Sequence, residues 1–480
     1  MSETAFQIKN PSVTLYAFHL CQDLTQEPEQ LRPDAERLWQ NCAALSELLA
    51  IPELKSFPEK LQSQPTKIPI TSRYIKLLPD NGRLKYTPLL QIEGYPLTIE
   101  VYPLQIHDTY ALDLTLYYQN LTVSASQFSH LNPQGCLLAS KIQASLGQTL
   151  VLYAEPVGSP QEDRKLADAC VDAFLSKTDQ QQPFFSASGQ LFGSPIFEYD
   201  NGQEKPREQC HILVWLNRHP ETLKLATLTY FSFLNLLCCR SKILFAYHEA
   251  RWCYRQTREF YAELEDEVEL FKKLLNQPEE RLEQLKQKLT QIPPKSFKYA
   301  GYLRDIEDHK TAIATNTKNY EYWLQKIRSS SLEIDDLEFL ENFLTQSCQR
   351  FQAQIQVNLN YLTPGQQLFE QMLVTIRGLV EIEQAHSDRK RLENEKEIEK
   401  KQADRDRRLE RTVQVVGTGL AVGAIAASSS PNSLRESPLL PPFATSTLHP
   451  FFFSFLVSFS AAIIAGLIAG LVGGLLSQNK

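Results

Sequence analysis

The chain has 480 residues, of which 42% are hydrophobic, and a formal net charge of −7 at pH 7. This composition supports a hydrophobic core and excludes a wholly disordered chain, while the acidic balance argues against a dedicated nucleic-acid-binding protein. The nine cysteines form no Cys-x-x-Cys pair and are odd in number, so they predict buried thiols in a reducing compartment rather than a disulfide framework or a zinc site.

Residues 1–217 are predicted to form an α+β domain. Met1–Leu20 has no basic start followed by an apolar run, so no secretory signal is predicted and the domain is expected in the cytosol. Strands are predicted at Thr14–Leu20, Lys85–Ile92, Leu97–Leu104, Thr109–Gln119, Thr149–Ala154, Phe192–Tyr199 and His211–Leu216, and helices at Pro33–Ala50, Cys136–Leu146 and Glu162–Lys177. Apolar and polar residues alternate strictly along Thr109–Gln119, which predicts one buried and one solvent-facing side.

Residues 218–362 are predicted to form a helical domain. The apolar segment Leu223–Cys239 is only seventeen residues long and carries polar side chains, so it favours a buried core helix over a membrane span. Further helices are predicted at Arg251–Leu275, at Glu279–Ile292 with an end at Pro293-Pro294, at Lys295–Ile327 and at Leu332–Tyr361.

Residues 363–411 are predicted to form a long charged stalk helix, with Thr363 as N-cap and Pro364 in the first turn. A helix that is polar on most faces is typical of a bridge between domains or of a loose coiled coil, and a solvated stalk that transmits nothing is the alternative. Its last part, Ser387–Arg411, contains ten Lys and Arg residues, whereas the segment 431–450 contains only Arg435. The positive-inside rule then places the N-terminal head and the C-terminus in the cytosol.

Residues 412–480 are predicted to form a two-helix transmembrane hairpin with a short outer loop at 431–450. The two apolar stretches, Thr412–Ser430 and Phe451–Leu476, contain no Asp, Glu, Lys, Arg or His, which disfavours a coupled pump. The first is short enough that an interfacial or buried helix is the alternative. The predicted fold class is therefore an α+β cytosolic head followed by long α-helices and a C-terminal two-helix transmembrane hairpin, in an integral protein of the plasma (inner) membrane.

Small residues recur every four positions in the apolar stretches and predict close helix–helix association. The predicted helix-association residues are Gly419, Gly423, Ala462, Gly466, Gly470 and Gly474. Generic glycine enrichment of membrane helices is the alternative. Gln414 and Thr418 share one helix face, so they either line a narrow pore or bond to neighbouring backbone.

Two clusters in the helical domain suggest binding chemistry. Arg251, Arg255 and Arg258 fall on one helix face and are candidates for an anion clamp, with a solvated face as the alternative. Asp305 and His309 have a spacing that suits a divalent ion but need further ligands, so no metal site and no cofactor is predicted. No phosphate-binding loop, zinc-protease motif or nucleophile elbow occurs, and the chain is predicted not to be an enzyme.

The order of a mixed head, long helices, a stalk entering one span, a short outer loop and a second span resembles the CorA-type divalent-cation transporters. The likeness is one of topology. Where that family has Gly-Met-Asn after its first span, this chain has Ala427-Ser428-Ser429-Ser430-Pro431-Asn432. The resemblance implies an ion channel or divalent-cation transporter gated by the stalk helix.

Two functions follow as hypotheses. The first, favoured because the Gly-Met-Asn signature is missing, is an integral membrane protein whose cytosolic sensing or scaffolding head is tethered by an oligomerising hairpin. The alternative is the CorA-like conducting pore. The expected partners are the lipid bilayer, further copies of the chain in a homo-oligomer and an unknown cytosolic ligand or protein, with no nucleic acid.

Overall fold

A computed structural model gives the fold. The structure describes residues 6–22, 31–62, 74–87, 95–275 and 281–396, together with Val413, Phe459, Ser460 and Ile464. The chain divides into two compact units, Met1–Arg377 and Gly378–Lys480.

The described part of the first unit contains one mixed sheet of ten strands. Its strands are β1 (Gln7–Leu20), β2 (Ile75–Lys76), β3 (Leu84–Tyr86), β4 (Leu97–Ile106), β5 (Thr109–Tyr118), β6 (Thr122–Ser124), β7 (Gly147–Pro156), β8 (Phe184–Leu191), β9 (Ser194–Asp200) and β10 (His211–Leu216). The main order is β2-β4-β5-β1-β7-β10-β9-β8, with β3 on β4 and β6 on β1. All pairs are antiparallel except β7 with β10, because the helix Asp163–Leu175 carries the chain across between β7 and the β8–β10 meander.

One face of the sheet, the core face, is covered by helices. These are α1 (Arg37–Leu48), α2 (Ala139–Ile142), α3 (Asp163–Leu175) and a 3₁₀ helix at Ala125–Leu131. Trp39, Phe128 and Phe174 are nearly or fully buried there against alternate residues of the central strands. On β5 the predicted core side is confirmed, with Tyr110, Leu112, Leu114, Leu116 and Tyr118 in the core. The predicted solvent-facing side is wrong, because Thr109, Ala111 and Asp113 are buried as well.

The opposite face, the groove face, is partly covered by a broken helix. The predicted buried helix 223–239 is instead α4 (Thr222–Leu228) and the start of α5 (Tyr230–Leu275), bent by 69° at Thr229. Burial is confirmed for the α5 part, where Leu234, Leu236 and Leu237 are buried, but the prediction is wrong for α4, where Leu223 and Leu228 are exposed. The first turns of α5 lie against the sheet, where Phe233 packs edge-on to Tyr16 with ring centroids 6.2 Å apart.

Three long helices form a bundle that continues from the sheet: α5, α6 (Arg281–Arg328) and α8 (Gln349–Lys396), with α7 (Glu338–Asn342) and a π-helical turn Phe343–Cys348 before α8. Tyr247 of α5 stacks on Phe351 of α8 with centroids 4.0 Å apart, and Tyr261 lies beside Tyr361 at 6.0 Å, so α5 and α8 are parallel.

The bundle is packed on a strict seven-residue repeat. Buried positions recur at this interval along each helix, as in a coiled-coil seam. They are Leu236, Ile243, Ala250, Thr257, Leu264 and Phe271 on α5, then Leu285, Ile292, Tyr299, Ile306, Ile313, Tyr320 and Ile327 on α6, and Ile355, Leu362, Phe369 and Ile376 on α8.

Prolines do not end the helices, which corrects two sequence predictions. Pro293 and Pro294 lie inside α6, and Pro364 lies inside α8 rather than opening a stalk helix. An internal proline removes a backbone hydrogen bond at a cost of about 3 kcal/mol. The buried heptad positions on both sides of each proline keep the helix in register, and this packing outweighs the local cost.

The predicted fold class is wrong in its C-terminal part. Among the described residues, no single helix combines the length and apolar composition needed to cross a membrane; only α4 and α5 taken together reach it, across their bend. The long helices carry charged residues on their outer faces, which lowers their hydropathy below that of a span. Apart from Val413, Phe459, Ser460 and Ile464, the residues 412–480 of the expected hairpin lie outside the described part of the chain.

Candidate ligand-binding groove

An open groove of about 720 Å³ lies on the groove face, beside the first turn of α5. Its volume falls within the ~300–1,000 Å³ typical of small-molecule sites. The floor consists of small hydroxyl side chains in the middle of the sheet, Ser12, Thr14 and Thr115. Thr14 and Thr115 are register partners on β1 and β5, and their Oγ1 atoms are 3.0 Å apart.

The groove is polar because of the strand period. Successive side chains of a strand point to opposite faces, so Asp113, Thr115 and Tyr117 of β5 lie on the groove face while their neighbours are in the core. On β1 a bulge between Lys9 and Ser12 shifts the register. Asn10 in this bulge has a φ of 47° and its side chain also lines the groove.

Asp113 is a buried carboxyl that lines the groove. Tyr230, the first residue of α5, donates its hydroxyl to Asp113 Oδ2 at 2.5 Å, and Thr115 donates to Oδ1 at 3.1 Å. Burial raises the pKa of the Asp113 carboxyl, and the Tyr230 hydrogen bond and the nearby Arg83 charge offset only part of that rise. The sheet and the start of the bundle therefore meet at one desolvated carboxyl.

Basic residues of the chain occupy the β4 side of the groove. Lys85 donates to the Tyr117 hydroxyl at 2.7 Å and lies 3.4 Å from Glu100, and Tyr117 in turn donates to Glu100 at 2.9 Å. The guanidinium of Arg83 lies over the rings of Tyr102 and Tyr230, 4.6 and 5.5 Å from their centroids. Cations on aromatic faces are thus already part of this wall.

The β7 side of the groove has a similar tyrosine and carboxylate. Tyr153 accepts a hydrogen bond from Asn217 Nδ2 at 2.7 Å, and Glu155 accepts one from Asn10 Nδ2 at 3.2 Å. Both residues are half-buried. Burial is the main cause of the raised pKa of Tyr153, and the Glu155 charge adds to it. The two residues are two positions apart on β7 and so share one face.

The helical wall is apolar. Leu223 and Ala226 of α4 and Phe231 of α5 line this side. Phe231 is held by Tyr74, with stacked rings 4.0 Å apart at the centroids. A polar floor with an apolar wall is the usual composition of a site that orients a small molecule through a few hydrogen bonds.

The predicted anion clamp does not form part of this groove. Arg251 forms an ion pair with Glu204, while Arg255 and Arg258 are exposed on α5. The predicted helix-association residues and the possible pore residues Gln414 and Thr418 lie outside the described residues.

The structure also bears on the predicted cysteine packing and on the Asp305–His309 pair. All nine cysteines are free and buried, which confirms the predicted packing role. His309 has a pKa lowered by burial, with Glu249 and Asp305 nearby. In the ranges that the structure describes, no group of three or more His, Cys, Asp or Glu side chains is placed to hold a metal ion.

The sequence predictions include none of the groove residues. The one sequence feature that indicates the groove is the polar side of the alternating pattern along β5, which the sequence alone assigns to solvent. Comparison with protein-family models, with curated proteins and with solved structures finds no match for this chain.

Proposed function

We propose that this chain is a ligand-sensing protein in which the groove binds a small polar molecule and the helical bundle responds. The supporting observation is that the groove belongs to two parts of the fold at once. The strands supply Thr14, Thr115 and Asp113, whereas α5 supplies Tyr230 and Phe231. A molecule in the groove therefore contacts both the sheet and the first turn of the bundle.

The bundle is suited to carry such a response. α5 has 46 residues, so it extends roughly 69 Å from the groove. Its seam is packed by heptad positions, and close-packed interiors move between discrete arrangements rather than deforming continuously. A displacement of Tyr230 by a bound molecule would thus shift the packing along α5.

The other sequence-based expectations stay predictions. These are the absence of enzymatic activity, the CorA-like conducting alternative, the lipid bilayer and homo-oligomer as partners, and the plasma-membrane location. The pore and membrane expectations depend on residues that lie outside the described part of the chain.

Hydrogen–deuterium exchange of the full chain tests the proposal. The probes are putrescine, arginine, glutamate, glucose and adenosine, each at millimolar concentration. At least one probe is expected to slow amide exchange in β1, β5 and the start of α5. Thr14→Trp fills the groove floor and is expected to abolish this protection, whereas Thr311→Trp, on the exposed side of α6, is expected to keep it. Protection by none of the five, or protection unaffected by Thr14→Trp, would contradict the proposal.

A further inference from the structure

A tyrosine flanks Ser12 on both sides of the groove. Ser12 is the register partner of Tyr117 on β5 and of Tyr153 on β7. Since neighbouring strands lie about 4.8 Å apart, the two tyrosines stand roughly 9.6 Å apart across the serine. Each has a carboxylate on the same face: Tyr117 donates to Glu100 of β4 at 2.9 Å, and Glu155 follows Tyr153 by two residues on β7.

Only the Tyr117–Glu100 side of the groove contains a lysine of the chain beside its tyrosine and carboxylate. The Lys85 ammonium lies 5.4 Å from the Tyr117 centroid and 3.4 Å from Glu100. Among the described residues, no ion pair within 4 Å joins Glu155 to a basic group, and its register partner Lys9 is exposed. The Tyr153–Glu155 side therefore repeats the tyrosine and carboxylate without the ammonium.

The charge of the groove favours the same kind of ligand. Three carboxylates line it, Glu100, Asp113 and Glu155. Arg83 and Lys85 both lie within 4 Å of Glu100, at 3.7 and 3.4 Å, so the cations of the chain are on the β4 side. On the β7 side an anionic molecule would face the Glu155 carboxylate, whereas an ammonium gains from both this carboxylate and the aromatic face of Tyr153. The hydroxyls of Ser12 and Thr14 can accept its remaining N–H bonds.

We propose that the groove binds a small organic cation with a primary ammonium group, and that the ammonium occupies the place between Tyr153 and Glu155 that corresponds to Lys85 between Tyr117 and Glu100. This inference rests on the proposed sensing function and specifies its ligand class. The contacts of the Lys85 ammonium thus indicate those expected for the ammonium of the ligand. No covalent step is involved.

Isothermal titration of the full chain compares putrescine with 1,4-butanediol, which has the same carbon chain and no charge. Putrescine is expected to bind and the diol is not. Glu155→Gln keeps the acceptor for Asn10 but removes the charge. It is expected to weaken putrescine binding by roughly tenfold to a hundredfold, as for loss of a charged hydrogen-bond partner. Glu53→Gln, exposed beside the core-face helices, is the matched control and is expected to bind as the wild type does.

Equal binding of the diol, or a putrescine affinity unchanged by Glu155→Gln, would overturn the inference. The exchange experiment separates this outcome from failure of the proposed function. If glucose, adenosine or glutamate protects the groove and putrescine does not, the ligand class is wrong while the sensing function stands. If none of the probes protects the groove, both fail.

Discussion

Gly365 of α8 packs directly against tyrosines of α5 and α6. A Cβ at this position would overlap Tyr299 Oη and lie 2.7 Å from Tyr261 Cδ2. The Tyr299 hydroxyl is held there because it donates to the Leu362 carbonyl at 2.6 Å. We expect Gly365→Ala to lower the free energy of unfolding by about 1–3 kcal/mol, the usual cost of overpacking a core. Urea denaturation followed by circular dichroism measures the change.

A second glycine provides the control. Gly301, inside α6, has no heavy atom within 4 Å of the Cβ that alanine would add. Gly301→Ala is therefore expected to stabilise the helix by about 0.5–1 kcal/mol, because alanine loses less backbone entropy than glycine. Equal effects of the two substitutions would show that helix propensity, and not the Tyr299 contact, determines both.

Asp113 shows why single residues of the groove could not be predicted as a site. Strand alternation correctly places it opposite the β5 core residues, and a lone carboxyl on that side suggests contact with water. Its actual neighbour is Tyr230, which is 117 residues away in the chain. Burial by a helix that is distant in the chain leaves no sign in the local sequence. The alternation along β5 therefore identified the face on which Asp113 lies, but not the helix that packs on that face.

At the level of elements, one aspartate fixes the β8–β9 turn to the loop after α6. The Asp335 carboxylate accepts backbone N–H bonds from Phe192 at 2.9 Å, Gly193 at 2.6 Å and Leu332 at 2.9 Å. We expect Asp335→Ala to destabilise the chain by about 2–4 kcal/mol, because hydrogen bonds to a charged acceptor contribute about 1.5–3 kcal/mol each and are not fully additive. Hydrogen exchange in β8 and β9 should accelerate.

The neighbouring aspartate separates this effect from a general loss of charge. Asp336 Oδ1 accepts only the Glu338 N–H, at 2.9 Å, among the hydrogen bonds of the described residues, and the backbone of Asp336 bridges Gln190. Asp336→Ala keeps the bridge and is expected to cost about 1 kcal/mol, as for a helix cap. A larger loss for Asp336→Ala than for Asp335→Ala would refute the assigned role.

Elements with a long, regular pattern were predicted well and interrupted ones were not. His211–Leu216 and Thr109–Gln119 agree with β10 and β5. The predicted strand 192–199 misses the hairpin, since the turn at Phe192 and Gly193 depends on the distant Asp335. The predicted helix boundaries at the prolines of α6 and α8 were wrong, because tertiary packing outweighed the rule that proline interrupts a helix.

On the scale of the whole molecule, a buried polar network joins the sheet to the bundle. His211 of β10 lies 2.9 Å from Glu198 of β9, and Arg240 of α5 binds Asp200 at 3.0 Å. A neutral His211 ring satisfies both of its neighbours when Nε2–H donates to Glu198 and Nδ1 accepts from Thr149. Burial, and then the charge of Arg240, lowers the pKa of His211 below its usual value.

This network predicts a pH-dependent stability. Unfolding frees His211 to bind a proton near its ordinary pKa of about 6.5, so the unfolded state binds more protons below that pH. The free energy of unfolding should fall as the pH drops from about 6.5, by at most about 1.4 kcal/mol per pH unit from this group. Urea denaturation at several pH values measures the slope, which His211→Gln should reduce.

The control is His107→Asn in the exposed β4–β5 turn. His107 has a φ of 53°, a conformation that asparagine tolerates. This variant is expected to keep the wild-type slope. A slope that His211→Gln leaves unchanged would assign the pH dependence to other groups.

The order of a mixed head and then long helices was predictable, because the composition changes near Pro220 and the helical pattern then extends over many residues. The way in which the head and the helices pack was not. The contacts between Arg240 and Asp200 or between Tyr230 and Asp113 join residues 40 and 117 positions apart. Such pairs are set by the fold, and no short window of sequence contains them.

The unbroken seven-residue spacing of the three long helices has an evolutionary consequence. Removing one or two residues from the middle of α6 would rotate Ile306, Ile313 and Tyr320 out of the seam, by about 100° per residue, and bring charged side chains into it. Length variation within the bundle should therefore come in whole heptads, matched in the partner helices at the same level. Descendants of this chain are expected to differ in length at the loops and to change the lengths of the bundle helices in steps of seven residues.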